Sequence, residues 1–138
     1  MTELQARLFE PIIMTHALAA SMAVVLGAWV FLRRKGTRRH RTLGRIWVAA
    51  MALTAATSFV IPARVLGLDT PLGRFGPIHL LSVLTLVTLV GSIAAIRRGR
   101  QPAHRSAMIS LYLSLLVAGA FTLLPSRVLG AWLRALFA

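Results

Sequence analysis

The chain has 138 residues, 57% of them hydrophobic and only 14% charged, with no cysteine and a formal net charge of +13. Lack of cysteine excludes disulfides, thiolate metal sites and covalent c-type haem attachment, and the low charged fraction excludes an ordinary soluble domain, where roughly 25% is usual. The 16 Lys and Arg, against 3 Asp and Glu, gather at the ends of apolar runs, which is the pattern of membrane topology rather than of nucleic-acid binding.

The first run is "IIMTHALAASMAVVLGAWVFL", Ile12 to Leu32. The second, "IWVAAMALTAATSFVI", Ile46 to Ile61, reaches spanning length once it is extended back through "HRTLGR". The third is "IHLLSVLTLVTLVGSIAAI", Ile78 to Ile96, and the fourth "AMISLYLSLLVAGAFTLLP", Ala107 to Pro125. A helix crosses a bilayer with about 20 mostly apolar residues, so four spans are expected. The amino end is not basic and no A-x-A-like site precedes the first charged loop, so a cleaved signal peptide is not expected. The tail "AWLRALFA" reads as a short interfacial helix with Trp132 at head-group depth.

Loop charge sets the expected orientation. "RRKGTRRHRTLGR" carries seven Lys and Arg and "RRGRQPAHR" carries four, while Arg7, Arg64, Arg74, Arg127 and Arg134 are spread over the other three segments. The two basic loops are therefore placed in the cytoplasm and both termini outside. Glu3, Glu10 and Asp69 then all fall on the outer side. The basic loops also suit anionic lipid head groups.

The chain repeats itself. Gly27 aligns with Gly91, Arg33 with Arg97 and His40 with His104 at an offset of 64; Pro62 aligns with Pro125, Gly67 with Gly130 and His16 with His79 at an offset of 63. Two spans return the chain to its starting side, so both copies share one orientation, a parallel repeat about the membrane normal. The expected architecture is an all-α membrane protein, a four-transmembrane-helix bundle built from two parallel two-helix repeats. It forms one domain, 1–138, with repeats at about 11–67 and 74–130.

All four histidines obey this repeat. His16 and His79 fall near the outer ends of the first and third runs, His40 and His104 at the inner ends of the second and fourth. His16 precedes Arg33 by 17 residues, so the two layers stand roughly 25 Å apart at about 1.5 Å per residue. Two imidazoles at one depth, projecting inward from facing helices, are what a b-type haem requires as axial ligands, and a bis-imidazole iron suits electron transfer. Arg41 and Arg105, with Arg39 and Arg45, stand beside the inner pair, where cations suit propionates. Ala20, Ala23 and Gly27 share one helix face and would leave room for a flat ring. The outer pair is the better ligand pair on this reading, because it lies in the more apolar stretch. A plainer reading stands beside it: His16 and His79 hydrogen-bond across helices, and His40 and His104 meet head groups among the arginines. The methionines (Met14, Met22, Met51, Met108) do not repeat and read as packing rather than copper ligands.

The early-span His with "RRKGTRRHRTLGRIWVAAM", "FGPIHLLS", "HRSAMISLY" and the closing "LLPSRVLG" resembles an uncharacterised family of small bacterial predicted membrane proteins, known only as a domain of unknown function. The resemblance covers nearly the whole chain and implies four spans and no activity. In layout alone the chain resembles the transmembrane diheme cytochromes b, whose four core helices carry one His pair per face on alternate helices. That layout implies one or two b haems, with His16, His79, His40 and His104 as iron ligands. His40 and His104 lie closer to the charged loop than that layout would place them.

These readings lead to an integral protein of a bacterial inner membrane that carries electrons as an oxidoreductase-type component, with a quinone or another small carrier as partner. Two readings of other classes remain open: a non-catalytic accessory or scaffolding subunit of a larger membrane complex, and a small-molecule or metal carrier. No Asp or Glu lies within a run, which argues against carboxylate-based ion transport.

Overall fold

The computed structural model describes residues 11–61, 76–122 and 135. Among these, the secondary structure is wholly helical: α1 Pro11–Leu32, α2 Arg38–Ser58, α3 Pro77–Arg97 and α4 Gln101–Thr122. Each is 21 or 22 residues long, or about 32 Å at about 1.5 Å per residue, the thickness of a bilayer core. The expected helix ends at Pro62 and Pro125, the alignment of Gly67 with Gly130, the acids Glu3, Glu10 and Asp69, and the tail around Trp132 lie outside the described residues.

The two basic connections are built as tight turns. Between α1 and α2, Gly36 takes a left-handed φ of 80° and Thr37 caps α2, its hydroxyl oxygen accepting the His40 backbone N–H at 3.1 Å. Between α3 and α4, the Arg100 N–H reaches back to the Ala95 carbonyl and the Gly99 N–H to that of Ile96, with Gly99 at φ 73°. That is a Schellman ending, and it needs a residue free of a Cβ penalty at Gly99. Pro102 then falls in the first turn of α4, where a missing N–H is harmless.

Short turns make α1 antiparallel to α2 and α3 antiparallel to α4. Each helix packs on its chain neighbours and α4 closes onto α1. The bundle is turned inside out relative to a soluble one. Its buried positions are mostly small, including Ala19, Ala23, Ala50 and Ala55, while Leu18, Val25, Leu80, Val87 and Val90 face outward. Close helix approach through small residues, with large aliphatic residues outside, is what lipid solvent favours.

Three of the four helices, α1, α3 and α4, are long and apolar enough to cross a membrane. Helix α2 is not among them: Arg38, Arg39, Arg41 and Arg45 all lie in its first eight residues and lower its hydropathy. Yet α2 holds the greatest share of the core: Trp47, Ala50, Met51 and Ala55 are all buried. A helix shielded by neighbours on two sides does not need the apolarity of one that faces lipid.

Trp47 is the wedge of that core. Its ring is 2% exposed, and its Nε1–H donates to the Ala23 carbonyl of α1 at 2.8 Å. Tyr112 of α4 donates its hydroxyl to the neighbouring Val24 carbonyl at 3.2 Å and packs on Phe31 at 5.2 Å. Gly27 admits both rings: a Cβ there would lie 2.5 Å from Tyr112 Cδ2 and 2.8 Å from Trp47 Nε1. Its sequence counterpart Gly91 is exposed, with nothing near the same point, so the two aligned glycines have unlike surroundings.

Candidate functional site

The four histidines fall at the two ends of α2. At its C-terminal end, His16 of α1 places Nδ1 3.0 Å from the Thr57 hydroxyl oxygen. That hydroxyl spends its proton on the Leu53 carbonyl at 2.8 Å, so it accepts from His16 and the Nδ1 proton belongs to the imidazole. A neutral ring carries one N–H and one lone pair, which leaves the lone pair on His16 Nε2. Beside this contact, Ser58 and Ser82 share a buried hydrogen bond of 2.6 Å between α2 and α3. Removing one partner of such an interhelical bond leaves the other unsatisfied. Thr57→Val should therefore destabilise the bundle by about 1 kcal/mol, read as an earlier midpoint in detergent unfolding; an unchanged midpoint would show the His16 bond to be idle.

His79 stands at the same end, its ring 5.8 Å from that of Phe59. It is buried, and its Nδ1 accepts the Gly76 backbone N–H at 3.1 Å, while the His79 backbone N–H donates to the Gly76 carbonyl. His79 thus occupies the place of Glu or Gln in a capping box, after Pro77 in the first turn. With the Nδ1 lone pair engaged, the neutral ring carries its proton on Nε2.

The end beside the two basic turns differs. His104 holds Nδ1 2.9 Å from the Ser92 hydroxyl and 3.2 Å from the Ser92 carbonyl. A carbonyl only accepts, so Nδ1 carries the proton and Nε2 the lone pair. His40 is turned toward the Val30 carbonyl and lies within electrostatic reach of Lys35 and His104. Its Nδ1 is buried without a hydrogen-bond partner among the described residues. This end thus holds a buried, unpartnered His40 Nδ1 near the His104 ring, whose Nδ1 is engaged by Ser92, whereas at the other end His79 spends its Nδ1 lone pair on the Gly76 N–H.

Arg39, Arg41, Arg45 and Arg105, at or near the end beside the basic turns, are all exposed. The room expected along Ala23 and Gly27 is filled by Trp47 and Tyr112. Two shallow hollows among the described residues lie on outward faces, one against Arg105, Ser106, Ile109 and Ser110, the other against Val90, Ile93, Ala94, Arg97 and Arg98. Neither touches a histidine. No three of His, Cys, Asp and Glu converge among the described residues. The partners that orient the rings, Thr57, Ser92 and the Gly76 backbone, are absent from the sequence reading, although a Ser or Thr inside an apolar helix is itself a sign of an interhelical bond.

No curated protein and no solved structure matches the chain. A family model does, over residues 13–135, and its description is "Predicted membrane protein (DUF2306)". That match covers most of the chain and agrees with three apolar helices of spanning length, so the protein belongs to this family of predicted membrane proteins.

Proposed function

We infer that the protein is a four-span inner-membrane electron carrier that holds a b-type haem between His40 and His104. The observation that carries this reading is the buried, unpartnered Nδ1 of His40 beside a His104 ring whose Nδ1 is already committed to Ser92. A buried nitrogen lone pair left without a donor is costly, and a ligating imidazole typically has its other nitrogen tied to an acceptor. His40 meets the first condition and His104 the second. The outer pair does not do so, because His79 spends its lone pair on the α3 cap. Ligation is therefore assigned to the inner layer alone, and His16 and His79 act as helix-joining and helix-capping residues.

When bound, such a group supplies reversible one-electron chemistry at iron. The protein supplies the rest. Ser92 holds the His104 ring, and Arg41 and Arg105 offer cations to the anionic edge of the ligand. A quinone or another small carrier is the natural partner for a site at the head-group boundary. A reduced-minus-oxidised visible spectrum of protein purified after expression with ample haem should show b-type bands. A colourless preparation would end this reading and put the accessory-subunit alternative in front.

The orientation follows from the same frame. The two basic turns face the cytoplasm and both termini face out. With no native cysteine in the chain, single cysteines at the exposed positions Thr37 and Gln101 should both resist an impermeant reagent in intact cells and label after permeabilisation. Labelling on opposite sides would mean that α2 does not cross.

A further inference from the structure

Arg97 and Arg98 stand at the end of α3 over a hollow floored by Val90, Ile93 and Ala94. From Val90 to Arg97 is seven residues, or about 10 Å along the helix, so the trough is apolar along its length and cationic at its mouth. The described residues hold seven Lys and Arg from Arg33 to Arg45 and four from Arg97 to Arg105, but no Asp or Glu. No carboxylate among them answers these cations.

The first half of the chain shows what a closed version looks like. At the offset of 64, Ile93 corresponds to Trp29 and Arg97 to Arg33. There the Arg33 guanidinium lies over the Trp29 ring, 5.1 Å from its centroid, so the indole fills the position and partners the cation. In the second half the smaller Ile93 leaves the trough open.

We propose that this trough is a specific site for one anionic phospholipid, its acyl chain along Val90, Ile93 and Ala94 and its phosphate between Arg97 and Arg98. An arginine pair recognises phosphate through charge-assisted hydrogen bonds, and each cation near the surface adds to anionic-lipid binding. The apolar floor distinguishes a lipid from a free phosphate, which has nothing to place there. The site is independent of haem ligation.

Native mass spectrometry of the detergent-purified protein, with added phosphatidylglycerol or phosphatidylcholine, tests this. The wild type should retain one phosphatidylglycerol and no phosphatidylcholine. Arg97→Gln with Arg98→Gln should weaken retention by about tenfold or more. Ile93→Trp, which copies the closed first half and leaves the charge unchanged, should abolish it, with helical content intact by circular dichroism. Arg38→Gln with Arg39→Gln removes the same charge elsewhere and should leave it intact. Retention by Ile93→Trp, equal loss in the Arg38 and Arg39 variant, or displacement by millimolar inorganic phosphate would overturn the site.

Discussion

Replacing Gly27 with alanine should destabilise the bundle by about 2–4 kcal/mol, combining the overpacking of a tight core with weakened interhelical bonds. The added Cβ meets Tyr112 and Trp47 ring atoms at separations that real Cβ atoms do not show, 2.5 Å for Tyr112 Cδ2 and 2.8 Å for Trp47 Nε1. Neither ring can yield cheaply. Trp47 is anchored to the Ala23 carbonyl and packed among Ala50, Met51 and Leu111, and Tyr112 is anchored to the Val24 carbonyl. Displacing them gives up both bonds and reopens the α1–α2 and α1–α4 contacts together. Gly91→Ala provides the contrast. Its new methyl meets open space, and alanine is the better helix former by up to about 1 kcal/mol, so that variant should match or exceed the wild type. Detergent unfolding of the three proteins, followed by circular dichroism, reads the difference. Equal midpoints for Gly27→Ala and Gly91→Ala would show that the aligned glycines are equivalent and that the Trp47 wedge is not where the geometry puts it.

That contrast marks how far the sequence could be read. The helices were legible because apolar runs and Gly or Pro punctuation leave few alternatives: the runs beginning at Ile12 and Ile78 start one residue inside α1 and α3. The polar head of α2 was also legible as an extension of its run. The start of α4 was not, because Gln101 to Ser106 reads as loop by composition, and its helicity rests on the turn at Gly99 and the proline-compatible first turn. The level of each histidine follows from its place along a helix. What its ring does there depends on partners contributed by other segments. Thr57 lies 41 residues from His16, and no periodicity in either helix reveals that its hydroxyl is an acceptor. His79 is the exception. Gly76, Pro77 and a polar side chain at the third helical position are together a local start signal, which separates His79 from His16 despite their alignment.

The histidine variants carry the functional claim. Haem content per chain should be about one for the wild type and should fall to near zero in His104→Ala and in His40→Ala. His104→Ala removes a ring held in place by Ser92, and His40→Ala removes the buried Nδ1 that has no hydrogen-bond partner. Neither variant removes a core side chain, since both residues are only partly buried, so helical content should persist while colour is lost. His79→Ala should behave in the opposite way. It deletes the side-chain acceptor for the Gly76 N–H and should cost about 1 kcal/mol, as losses of helix caps do, while leaving the spectrum and haem content unchanged. Ser92→Ala sits between these cases. It removes the hydroxyl that orients His104 but keeps the Ser92 carbonyl contact, so haem should stay bound with a shifted midpoint potential, the readout expected when a ligand's hydrogen-bond partner changes. Loss of haem in His16→Ala or His79→Ala with retention in His104→Ala would move ligation to the outer layer and defeat the assignment. Equal haem across all of these variants would remove the histidines from the chemistry altogether.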